Sequence, residues 1–202
     1  ASGVDTAWID EVVLPLGPAM ATLTLAVDPA GAGTTTPAVG THLVSVGTTV
    51  NLTADAGAGF FFDQWSVTGA GELMVSLRAG DGVRVNGDCT VTAHFTAGVT
   101  VEFRVDPPGS GTTTPALGVQ TVRPDVWQPL QAAPNAGYRF DRWTVTGPAG
   151  VQDTAALDTL CQATANGAVV TAHFLEHTEI FPPGGVMPQG WVQSAGANAG
   201  WV

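Results

Sequence analysis

Apolar residues recur at every second position along most of the chain, as in Leu23, Leu25 and Val27 and again in Val50, Leu52 and Ala54. A period of two predicts strands, because alternate side chains of a strand share one face. Thr and Val dominate these runs, and β-branched side chains suit a pleated surface. Asp-Pro, Ala-Gly-Ala-Gly, Asn-Ala-Gly and Asn-Gly separate the runs at the spacing of short antiparallel strands. The expected fold class is therefore all-β. The stretch 148–166, PAGVQDTAALDTLCQATAN, is the one place where the pattern also admits a helical turn.

The pattern repeats. VDPAGAGTTTPAVG at 27–40 matches VDPPGSGTTTPALG at 105–118 at 11 of 14 positions, with an offset of 78. The same offset carries FDQWSVTG at 62–69 onto FDRWTVTG at 140–147, and VTAHF at 91–95 recurs at 170–174 after a difference of one residue. Two copies of one unit follow, at 21–96 and 99–175, with about six strands each and a joint so short that it implies copies held nearly end to end. Residues 1–20 form a terminal strand segment, and 176–202 a segment rich in Pro and Gly that can supply another strand.

In Phe60-Phe61-Phe62-Asp63-Gln64-Trp65, strict alternation places Phe60 and Phe62 on one face and Trp65 on the other. The equivalent run is Tyr138-Arg139-Phe140-Asp141-Arg142-Trp143. Packing into a small core is the favoured role, since large aromatics supply much of the burial in a domain of about 75 residues. The alternative is a carbohydrate-binding module whose exposed Trp65, Tyr138 and Trp143 stack on a host or matrix glycan.

Composition narrows the partners. No Lys is present, and six Arg face seventeen Asp and Glu for a formal net charge of −11. Nucleic acid is excluded as a ligand, because phosphate binding needs a basic stripe. No apolar run reaches the length of about 18 residues that a spanning helix needs, so no membrane span is expected.

Catalytic and metal-binding patterns are lacking. His94 and His173 are repeat equivalents, and one His per copy supplies one ligand; the His173/His177 spacing belongs to a helix, whereas this stretch reads as a strand end. The loop Ala79-Gly80-Asp81-Gly82 lacks the alternating acidic pattern of a calcium loop, so no cofactor is expected; calcium is not indicated, and a calcium site assembled from different loops stays open. There is no Gly-x-Ser-x-Gly elbow, and Ser, His and Asp fall in no recognisable order. Cys89 and Cys161 occupy non-equivalent positions and are read as buried thiols, with a disulfide open to them in an oxidising compartment.

The order Leu-Thr-Leu-Ala-Val-Asp-Pro, Gly-x-Gly-Thr-Thr-Thr-Pro, Gly-Tyr-Arg-Phe-Asp-x-Trp and Thr-Val-Thr-Ala-His-Phe resembles the divergent InlB B-repeat, the bacterial repeat domain, over both copies. The resemblance implies tandem, non-enzymatic modules of secreted or surface-attached bacterial proteins, with a small β-rich fold related to the β-grasp and no catalytic residue to carry over. GVDTAWIDEVVLP at 3–15 resembles the last strand of the cleaved-adhesin and choice-of-anchor jelly rolls, and FPPGGVMPQGWVQSAGANAGWV at 181–202 resembles their opening. The expected function is a non-enzymatic, extracellular structural or adhesive repeat module: a spacer or self-assembling subunit of a surface protein or fibre. Its assembly contacts would be Trp8, Ile9, Val12, Leu14, Trp191 and Trp201, pairing as strands with neighbouring domains or other copies.

Overall fold

A computed structural model describes residues 17–177. Two compact units divide at Thr96 and Ala97, and among the described residues every regular element is a strand. The first unit holds β1 (Met20–Asp28), β2 (Gly33–Thr36), β3 (Gly40–Ser45), β4 (Thr49–Ala56), β5 (Phe60–Leu73) and β6 (Gly80–Ala97). The second holds β7 (Val99–Asp106), β8 (Gly111–Thr114), β9 (Gly118–Val122), β10 (Gln128–Pro134), β11 (Tyr138–Thr146), β12 (Ala149–Val151), β13 (Asp158–Ala163) and β14 (Ala168–Glu176).

Both units share one pairing scheme. The first strand of each copy lies between the third strand, antiparallel to it, and the last strand, parallel to it: β1 between β3 and β6, β7 between β9 and β14. In the first unit the strand order is β2-β4-β6-β1-β3, with β5 beside β6. The second unit divides the same chain path into two sheets, β12-β13-β10-β8 and β11-β14-β7-β9. The cause is local. Asn86-Gly87-Asp88 lets β6 run unbroken from its pairing with β4 to its pairing with β1, whereas Thr164-Ala165-Asn166-Gly167 is one residue longer and breaks into a turn between β13 and β14. The stretch 148–166, where a helical turn was admissible, is β12, a turn and β13. Strand pairing takes up the backbone of β12 and β13, and between them the Asp153 and Ala155 amides donate to Thr159 Oγ1 and Asp153 Oδ1 instead of to helical carbonyls.

The inward set agrees with the period of two. Leu23, Leu25, Val91 and Ala93 fill the first core, and Val101, Phe103, Val170 and Ala172 stand at the equivalent places in the second. Strict alternation fails at the aromatic run. Between Phe140 and Arg142 the register against β14 shifts, so that Phe140 faces Phe174 but Arg142 faces His173 and Asp141 is the extra residue. The shift brings Phe140 and Trp143 to the same side, with ring centroids 5.5 Å apart, and Phe62 and Trp65 repeat the contact at 5.7 Å. Trp65 and Trp143 therefore lie inside with the phenylalanines, 2% and 1% exposed, rather than on the opposite face.

One core position differs in polarity between the copies. Ser110 is fully buried with no partner for its hydroxyl, while the equivalent position in the first unit is Ala32. A buried hydroxyl without a hydrogen bond costs about 1–3 kcal/mol. Ser110→Ala is accordingly expected to raise the stability of the second unit by about 1 kcal/mol in urea unfolding; a loss of stability would show that the hydroxyl is bonded after all.

Candidate functional site

The arrangement closest to a chemical site was hidden from the sequence. At the end of β1, Asp28 stands beside His94 of β6 in the parallel pairing, and Ser66 of β5 lies on the other side of the ring. His94 Nδ1 is 3.1 Å from Asp28 Oδ2, and Nε2 is 2.7 Å from Ser66 Oγ. A carboxylate only accepts, so Nδ1–H donates to Asp28 and, in the neutral ring, Nε2 accepts from the Ser66 hydroxyl. The second unit repeats the chain with Asp106, His173 and Thr144, at 3.0 Å and 2.8 Å. Asp–His–Ser in this order is the connectivity of a serine nucleophile and its base.

The same chain of bonds also straps strands together. The three groups stand on three neighbouring strands, and each link ties one strand to the next. The repeat offset contains the only sequence signal for the strap. It maps Asp28 to Asp106 and Ser66 to Thr144, and the Ala-His-Phe match maps His94 to His173, but nothing in the spacing says that these three positions meet.

His173 is engaged by Asp106 and Thr144, and among the described residues no group of three or more His, Cys, Asp or Glu is placed to hold a metal. Cys89 and Cys161 are both free and buried in the cores of different units. Each occupies a slot that an apolar residue fills in the other copy: Ala168 stands where Cys89 does, and Val83 where Cys161 does. Burial pushes both thiols above their ordinary range, with the Asp88 carboxylate adding to the effect at Cys89. Less thiolate at neutral pH means slow alkylation and oxidation of the folded protein.

The sequence-derived glycan platform is not assembled. Trp65 and Trp143 are enclosed, and the Trp143 Nε1–H donates to the Ala156 carbonyl at 2.9 Å. Tyr138 is half-buried and packs against the same core. Stacking on a sugar needs an open ring face, which core packing removes from both tryptophans. Trp8, Ile9, Val12, Leu14, Trp191 and Trp201 lie outside the described residues. The side chain that sequence reasoning missed is Trp127, which is 46% exposed. Its signal was available, since Trp127 falls within the second copy where the first has Thr49.

The fold and the duplicated strap define a tandem all-β repeat protein. The model of the divergent InlB B-repeat domain matches residues 23–99 and again 101–178, about three quarters of the chain. The chain belongs to this family, a repeat module of bacterial surface proteins. No curated protein and no solved structure matches it. Among the described residues no helix is long and apolar enough to cross a membrane.

Proposed function

We propose that the chain is a non-enzymatic, extracellular structural segment of a bacterial surface protein or fibre, in which the two repeats act as a spacer and the terminal segments join subunits. The observation that carries this reading is the double use of one closed unit. Each copy has its own core, and its Asp, His and Ser or Thr are spent on linking strands to one another. Membership of a family of surface-protein repeats supports the setting.

Assembly would use strand pairing. In the first unit β2 and β3 stand at the two ends of the strand order, and in the second β8 and β9 each end a sheet. An edge strand presents unpaired N–H and C=O groups that accept a further strand from another chain. The segment containing Trp8, Ile9, Val12 and Leu14, and that containing Trp191 and Trp201, supply the apolar residues for such a contact. A head-to-tail contact of this kind propagates into a filament.

Electron microscopy of the full chain, with its mass in solution at two concentrations, tests the proposal. Concentration-dependent chains that disappear when residues 1–16 are deleted are the expected result. A strict monomer at both concentrations sinks the assembly role and leaves the spacer.

A further inference from the structure

The two units match closely inside and differ on one outer face. In the second unit this face is formed by β10, β13 and β12, which neighbour one another in that order. Gln128 pairs with Cys161, and Gly150 pairs with Gln162, so Trp127, immediately before Gln128, enters a row that continues through Gln162 to Gly150. The indole reaches along that row. A methyl group added at Gly150 would meet Trp127 Cη2 at 3.9 Å as its nearest neighbour, and glycine leaves the space open. With the far edge of its ring over β12, Trp127 is still 46% exposed as a residue.

Trp127 itself does not line a depression, but one of about 380 Å³ opens on the next row of the same face, at Pro129 and Leu160, and its lining includes Gln131, Gln152, Asp153 and Asp158. The loop that carries two of these is tied down: the Asp153 amide donates to Thr159 Oγ1 at 3.0 Å, and Asp153 Oδ1 accepts from the Ala155 amide at 2.9 Å. At the equivalent positions the first unit has Thr49 for the Trp, Thr53 and Met74 for the two Gln, and Val75 and Gly80 for the two Asp. Since the first unit closes its core without them, the fold does not require the aromatic, the amides or the carboxylates.

We propose that this face of the second unit binds a neutral oligosaccharide, one pyranose ring stacking on Trp127 and the hydroxyls of the adjoining rings bonding to Gln131, Gln152, Asp153 and Asp158. An aromatic face is apolar and electron-rich, and it matches the C–H face of a pyranose. Amides donate and accept while carboxylates accept, which suits the paired hydroxyls along a sugar edge. Two carboxylates at the site and a net charge of −11 repel an anionic polysaccharide, so the ligand is uncharged. This inference is independent of assembly by the terminal segments and survives or fails without it.

The test is a titration of the full chain, followed by amide and indole NMR signals, with cellohexaose, N-acetylchitohexaose, laminarihexaose and mannohexaose. At least one is expected to move the Trp127 indole signal and the amides of Gln152 and Asp153 saturably, with the signals of the first unit unmoved. Trp127→Ala should weaken that binding by about tenfold or more, whereas Trp127→Tyr, which keeps an aromatic face, should stay within about threefold of the parent. The unshifted spectrum of the first unit and of the second core reports that each variant is folded. No movement of the Trp127 signal with any of the four at about 10 mM, or shifts that persist in Trp127→Ala, overturns the proposal.

Discussion

Trp143→Ala is expected to remove about 3–5 kcal/mol from the second unit, the usual cost of truncating a buried aromatic to alanine. The ring is 1% exposed, tilts against Phe140 at 5.5 Å, and donates its N–H to Ala156. A unit of about 75 residues is stable by on the order of 4–11 kcal/mol in total, so the loss takes much of what holds it. Urea unfolding read by residue-resolved NMR is the measurement. The second unit should melt first while the signals of Leu23, Leu52 and Val91 persist, because those residues belong to a separate core. A single transition for both units would show instead that the repeats unfold as one. The corresponding pair of Phe substitutions separates ring volume from the hydrogen bond. Trp65 Nε1 is buried without a partner, so Trp65→Phe should cost less than Trp143→Phe, which removes a bond as well as ring atoms.

Gly111→Ala should be nearly as damaging, at about 3 kcal/mol, although it adds one methyl group. A Cβ there would lie 2.5 Å from Phe174 Cζ and 2.6 Å from the Ala133 carbonyl oxygen. The ring can turn, but the carbonyl belongs to β10, which pairs with β8 at this point, so relief requires the strands to part. Gly33→Ala meets the same obstacle in the first unit, with the Asp55 carbonyl oxygen at 2.5 Å and Phe95 Cζ at 2.6 Å. Gly80→Ala is the control: nothing stands within 4 Å of its added methyl, and no loss beyond about 0.5 kcal/mol is expected. Thermal or urea midpoints of the three variants decide the matter, and equal stability of all three would mean that the close approach in the Gly-Thr-Thr-Thr strands is not maintained in solution.

The close approach explains why Gly-x-Gly-Thr-Thr-Thr-Pro recurs almost unchanged in both copies. The second Gly of the motif lies under a Phe of the last strand, and Thr35 and Thr113 turn their hydroxyls back to the carbonyls of Pro37 and Pro115 at 2.7 and 2.6 Å. The Trp127 face follows the opposite logic, because Thr49 occupies its position in a unit with the same pairing scheme. What the core needs is duplicated in this chain. What it does not need has been free to diverge.

By itself, the sequence determined the all-β class, the duplication and the inward positions such as Leu23, Leu25, Val91 and Val170, because strand alternation is a local property that a period of two records directly. The same local rule misplaced Trp65 and Trp143. The register shift at Asp141 is set by how β11 pairs with β14, some thirty residues away in the chain. Tertiary structure also decided that Cys89 and Cys161 fill apolar slots in different cores, and that one extra residue at 164–167 splits β13 from β14. It alone joined Asp28 to His94 and Ser66, through a parallel pairing of β1 and β6 that no short window of sequence contains. Pairing between distant strands depends on the closure of the whole core, and that closure is what brings these side chains into reach of one another.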